Sequence, residues 1–416
     1  MAYTDLTQIQ EKINTHKSNL AANLAAKSVN ANSSETLAVL IGKVKDIEQT
    51  GGGGSGEGGS GLDWSKITDM RYAFSNSGSH EDLAIMLFNS INCDMSQATD
   101  WQRCFNIAIV TNELNEAYQN AHIRPSKLEQ YMYNECKNLT DVEISGNYSE
   151  TALNYVFYNC VKLPINKALA AIKKNQASGV NLNYALAACG QQLGSGIDII
   201  EDFECNASNF SYIFSSVNSV LKVGNITNNY NQAVSMGNMF NMCAYIEEIG
   251  LLTAMAMGSS TNIISGCKAI KKFAGFNLSS QKYQGDIVTS SSGKLLGTSF
   301  DYLEELTNIP LAYLRYGGTN IANFYGSTSK AKPLHKLTFC NSEDGYYNKT
   351  YAKNLDIKYC SFARDGMVEM FNSLPDANDV TGTKVITITG NPCVTDGTLT
   401  EEDIAIATSK GYTITQ

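Results

Sequence analysis

Cysteine, histidine and paired carboxylates are the side chains here that offer reactive or metal-binding chemistry, and their spacing decides whether they supply it. The chain of 416 residues has 11 cysteines, of which Cys136, Cys160, Cys189, Cys243 and Cys267 recur about once every 25 residues, with Val217 in a vacant position. No Cys-x-x-Cys pair occurs, so neither a zinc site nor a dithiol redox site is spelled out. An odd number of thiols spread in this way suits reduced, buried side chains made in a cytoplasm, and burial argues against a catalytic cysteine. None of His16, His80, His122 and His335 stands at a metal-ligand spacing; "SHEDL" at 79–83 begins like a zincin helix but lacks the second histidine. Gly293-Lys294 lacks the flanking residues of a phosphate loop. Glu247-Glu248, Glu304-Glu305 and Glu401-Glu402 are sequence neighbours whose side chains point apart, whereas a glycan-cleaving pair must face across a groove. The expectation is a protein that is not an enzyme, with no catalytic residue, metal or cofactor.

Charge narrows the partners. The net charge is −9 and only 17% of residues are charged. Binding to nucleic acid or to an anionic membrane needs clustered lysine and arginine, which the sequence does not have. The first residues show no basic head followed by an apolar run, so no secretory signal is read. The longest apolar stretch, "IGLLTAMAMG" at 249–258, is far short of a bilayer.

The elements that must position these residues fall into four parts. Residues 1–49 read as a helical hairpin: Leu6, Ile9, Ile13, Leu20 and Leu24 share one face, Ser34 is a plausible N-cap, and Leu37, Leu40, Ile41, Val44 and Ile47 make a second stripe. Two short amphipathic helices need a partner to be stable. Residues 50–61, "TGGGGSGEGGSG", form a flexible Gly/Ser tether with nothing to bury. A tether favours docking onto sister copies or a larger assembly, and packing on the chain's own body stays as the alternative.

From 62 to 380 the chain repeats itself. "LEQYMYNECKNLTDVEI" (128–144), "LNYVFYNCVKLPI" (153–165), "LNYALAACGQQLGSGIDI" (182–199), "FSYIFSSVNSVLKVGNI" (210–226), "MGNMFNMCAYIEEIGLL" (236–252) and "IISGCKAIKKFAGFNL" (263–278) share apolar, aromatic and Cys positions before a β-prone end. Fainter copies lie at 70–83, 101–114, 300–314, 334–342 and 355–375. The period predicts a stack in which each repeat, a short helix or turn plus a strand, buries its apolar side against its neighbours. Residues 381–416 read as a C-terminal cap: a strand over Lys384–Thr389, a Gly-Asn-Pro turn and a helix capped by Thr400 with Asp403 as box partner. The fold class expected is α+β: helical hairpin, tether, a degenerate leucine-rich-repeat (α/β) solenoid, and a strand-helix cap. Tyr346, Tyr347 and Tyr351 crowd with Asn, Ser and Gly, a composition suited to adaptable recognition, and are the candidate receptor-binding residues. The alternative is that they lie in an irregular insertion with no ligand.

"MFNMCAYIEEI" (239–249) and "MYNECKNLTDVEI" (132–144) resemble the units of BspA-like leucine-rich repeats, and residues 385–414 resemble the C-terminal end of such proteins from phages and prophages of gut bacteria. Residues 19–47 resemble the N-terminal segment of tail-fibre and baseplate-type proteins. The resemblance implies a virion structural protein of the tail or baseplate, assembled in the host cytoplasm and released by lysis. Its residues 1–49 would join other virion proteins and form a homo-oligomer, a trimer by analogy with fibre proteins, while the repeats bind a host-surface glycan or protein. A head fibre or decoration protein, and a bacterial surface adhesin, are the alternatives.

Overall fold

A computed structural model describes residues 127–142, 149–257, 266–278, 302–309, 327–340 and 354–416, with isolated short pieces elsewhere. The apolar stripe residues Leu6 to Ile47, the tether, and Tyr346, Tyr347 and Tyr351 lie outside the described residues. The fold is α+β, with few helices and several parallel sheets. Among the described residues the sheets have three, four, two, six and four strands, every strand pairing within them is parallel, and none closes into a barrel.

The six-stranded sheet takes its strands in chain order: Asp198–Ile200, Val220–Val223, Glu248–Ile249, Lys272–Phe273, Glu305–Ile309 and Lys336–Phe339. The four-stranded sheet beside it does the same with Phe203–Cys205, Ile226–Asn228, Leu252–Ala254 and Phe276–Leu278. Four successive layers of chain therefore give one short strand to each sheet, and among the described residues Glu305–Ile309 and Lys336–Phe339 extend the six-stranded sheet alone. In-register pairing lines up Ile200, Val223, Ile249, Phe273, Leu306 and Leu337, all buried. The turn between the two sheets is too tight for a side chain at Gly250, whose added Cβ would meet the Gly224 carbonyl at 2.6 Å. Two strands per layer, where one was expected, follow from this corner.

On the opposite side the layers are joined through turns. The Tyr131 N–H donates to the Asn154 carbonyl, Tyr155 to Asn183, Tyr184 to Ser211 and Tyr212 to Gly237, at 3.0–3.1 Å. The intervening amides bond within their own layer, as Asn134 does to Tyr131 and Cys160 to Phe157. This satisfies the backbone of a buried turn without regular secondary structure.

Helices interrupt the pattern. Helix α1, Ile165–Asn175, follows Pro164, buries Ile165, Ala168 and Ile172 on one stripe, and carries Lys173 and Lys174 where the helix dipole favours cations. Helix α2, Arg364–Ser373, packs on strand Lys336–Phe339 within a stretch expected to be a plain repeat copy. The Lys410 ammonium closes its C-terminus by donating to the Phe371, Asn372 and Leu374 carbonyls at 3.0, 2.7 and 2.8 Å. Beyond it lie the single turn α3, Pro392–Thr395, and helix α4, Glu401–Ser409, which has the expected Thr400–Asp403 capping box. The strand expected over Lys384–Thr389 is shorter, Val385–Thr387, and a further strand, Thr413–Thr415, pairs with it in parallel. No described helix is long and apolar enough to cross a membrane.

Candidate functional site

Tyr131, Tyr155, Tyr184 and Tyr212 hold the same position in successive layers, ahead of Cys136, Cys160, Cys189 and Val217. All four have left-handed backbones, with φ of 58°, 58°, 54° and 58°. That conformation costs a bulky L-residue about 1–2 kcal/mol and is ordinarily given to glycine or asparagine. The turn bonds to the next layer hold each backbone in place. The rings stack face to face at 4.9, 4.8 and 4.3 Å between centroids, with interplanar angles of 4°, 13° and 8°. Such contacts return about 0.5–1.5 kcal/mol each beyond area burial, roughly what the strain costs.

The ladder is bounded and braced. The Arg103 guanidinium lies 4.4 Å from the centre of the Tyr131 ring, and Asn238, with φ of 55°, takes the equivalent position after Tyr212. Tyr158 sets its ring edge-on to Tyr155 and Tyr184, at 5.5 and 6.1 Å. Each ladder tyrosine is half-buried. Because their faces are spent on one another, what they offer outward is ring edges and phenol groups in a row. Partial burial and the neighbouring tyrosines raise the Tyr155 and Tyr184 phenols, Tyr184 to about 12. At neutral pH these phenols keep their protons, so they donate and accept hydrogen bonds without carrying charge.

The reactive side chains singled out in the sequence take structural positions. Cys160, Cys243 and Cys267 donate through Sγ to the Tyr133, Phe214 and Phe240 carbonyls of the preceding layer at 3.0, 2.9 and 3.0 Å, and Cys189 reaches the Leu163 carbonyl at 3.3 Å. Burial pushes the Cys160 and Cys189 thiols far above their usual range, which removes the nucleophilic thiolate. Glu247 pairs with Lys271, Glu248 with Lys222 and Glu305 with Lys272. Among the described residues no three His, Cys, Asp or Glu side chains are grouped to hold a metal ion.

The chain matches no family model, no curated protein and no solved structure. The ladder was present in the sequence as a fixed tyrosine in "LEQYMY", "LNYVFY", "LNYALA" and "FSYIFS". Spacing alone does not distinguish it from a core position of the repeat, because the surface placement of these rings depends on the left-handed turn.

Proposed function

We propose that this chain is a non-enzymatic binding protein of a phage particle, tail-fibre or baseplate type, that attaches to a host-surface glycan through the tyrosine ladder. In this reading residues 1–49 anchor it to other virion proteins and assemble the copies, residues 50–61 tether, and 62–380 form a leucine-rich-repeat solenoid closed by 381–416. The solenoid reading is supported by strands that enter each parallel sheet in chain order and by side chains that recur at equivalent positions. Four tyrosines held in a strained conformation carry the binding reading. The same left-handed turn recurs four residues on with varied side chains, at Glu135, Asn159, Ala188, Ser216 and Met242, so it is the repeated choice of tyrosine with stacked rings that points to the side chain, and a row of neutral hydroxyls with apolar edges suits a polyhydroxyl polymer. Several tethered copies would add avidity.

The test separates hydroxyls from stacking. Replacing Tyr155, Tyr184 and Tyr212 together by phenylalanine preserves the stack, so thermal stability should hold. If three ligand hydrogen bonds of about 0.5–1.5 kcal/mol each are lost, binding to host cells should weaken by about tenfold or more. Unchanged cell binding by the folded triple variant would remove the ladder from the receptor face.

A further inference from the structure

Helix α1 stands where later layers have strands, and this leaves two sheet edges facing it. Asp198–Ile200 and Phe203–Cys205 are the end strands of the six- and four-stranded sheets. The helical segment blunts these edges with side-chain amides: the Asn166 Nδ2 donates to the Ile199 carbonyl at 3.0 Å, and the Gln176 Oε1 accepts from the Asn206 N–H at 3.3 Å. Glu204 lies between the two plugs. The Phe203 N–H donates to the Asn225 carbonyl at 3.0 Å and the Cys205 carbonyl accepts from the Asn229 N–H at 2.8 Å, both toward the next layer. Alternation along a strand then turns the Glu204 N–H and C=O the other way, toward α1. There a cleft of about 180 Å³ opens between helix and strand, with Leu169, Ile172, Leu182 and Ile213 in its lining. Exposed Glu201, Asp202 and Glu204 stand at its lip, and among the described residues that line it Lys173 is the one cation.

We propose that this cleft binds an extended basic peptide, independently of the tyrosine ladder. One peptide residue pairs its N–H and C=O with those of Glu204, extending the four-stranded sheet by a rung. Its apolar side chain enters the cleft, which is comparable to a cavity of about 150 Å³ that admits benzene and so takes a group of leucine or phenylalanine size. Lysine or arginine on either side meets the carboxylates of the lip. A glycan has no backbone with which to form that pair, and an acidic peptide would meet three carboxylates.

The probe is a capped pentapeptide, Thr-Lys-Leu-Lys-Thr, titrated calorimetrically into the full chain. Two control peptides isolate the parts of the argument: Thr-Glu-Leu-Glu-Thr reverses the charge, and N-methylation of the leucine removes one backbone hydrogen bond. Each control should bind about tenfold more weakly or worse. Ala170→Phe, which fills the cleft from the exposed side of α1, should abolish binding. Should that variant also lose stability, the Glu201→Lys/Glu204→Lys variant decides, because both side chains are exposed; it should prefer the glutamate peptide. Failure of the lysine peptide to bind the unmodified chain, equal affinity for the N-methylated peptide, or an unaltered preference in the charge-reversed variant would each overturn the proposal.

Discussion

At the scale of single residues, the same side chains carry two duties. Asp403 accepts from the Arg364 guanidinium at 2.8 and 3.0 Å while closing the capping box of α4 with the Thr400 backbone and hydroxyl. Those bonds, Arg364 first and Thr400 next, hold its carboxyl down to about 2. The folded value lies below the usual carboxylate range near 3.9, so the stabilisation is complete above about pH 4 and is lost as pH falls toward 2. Asp403→Asn should therefore lower the Tm at neutral pH and flatten its decline in acid, as measured by thermal unfolding across the acid range. This capping box was legible, because Thr-x-x-Asp ahead of an apolar run is a local signal. So was the burial of the thiols, since a recurring small apolar residue marks an interior position. The left-handed tyrosines were not, because residue type argues against that conformation and only bonds to the next layer enforce it.

At the scale of elements, parallel pairing sets equivalent residues side by side, about 4.8 Å apart. Along one face of the six-stranded sheet the register aligns Lys222, Glu248, Lys272, Glu305 and Lys336, and Lys336 pairs onward with Glu369 of α2 at 3.0 Å. Signs alternate at every step, so a layer out of order would set like charges together. Glu248→Lys puts three lysines in succession; its Tm should fall at low salt and recover as salt screens the repulsion. Glu248→Gln should show little of either effect. The alternation is visible in the sequence as Glu247-Glu248, Lys271-Lys272 and Glu304-Glu305, but it acquires meaning only when the strands pair. Helix α1 was not read: the repeat at 153–165 was expected to finish in a β-prone end, as its neighbours do, whereas Ile165 opens a helix that buries Ile165, Ala168 and Ile172.

At the scale of the whole molecule, one continuous core runs from Cys104 to Tyr412. If the layers depend on their neighbours, as the proposed solenoid requires, damage in the middle should spread. Phe214 is fully buried and stacks on Phe240 at 5.4 Å between ring centres. Phe214→Ala should cost about 3–5 kcal/mol in denaturant unfolding. Hydrogen exchange should show lost protection at the amides of Tyr184 and Tyr212 as well as at the cavity, whereas loss confined to the mutated layer would mean that the layers are energetically separate. An α+β chain with recurring short strands was legible from the repeated segments; the two-strand corner was not, because it depends on how closely two glycines of adjacent layers approach.

The turn bonds made by the ladder tyrosines all run in one direction. The Asn154 carbonyl accepts from Tyr131, and the amide joined to that carbonyl donates from Tyr155 to Asn183; the relay continues through Tyr184 and Ser211 to Tyr212 and Gly237. Peptide groups in this column lie head to tail, as they do along an α-helix, so their dipoles add. The carbonyls of the column point toward the end nearest residue 131, and that end is negative. Arg103, stacked on Tyr131, places its charge there. This column thus has an electrical polarity built from backbone alone, separate from the net charge, and a guanidinium sits beside its negative end.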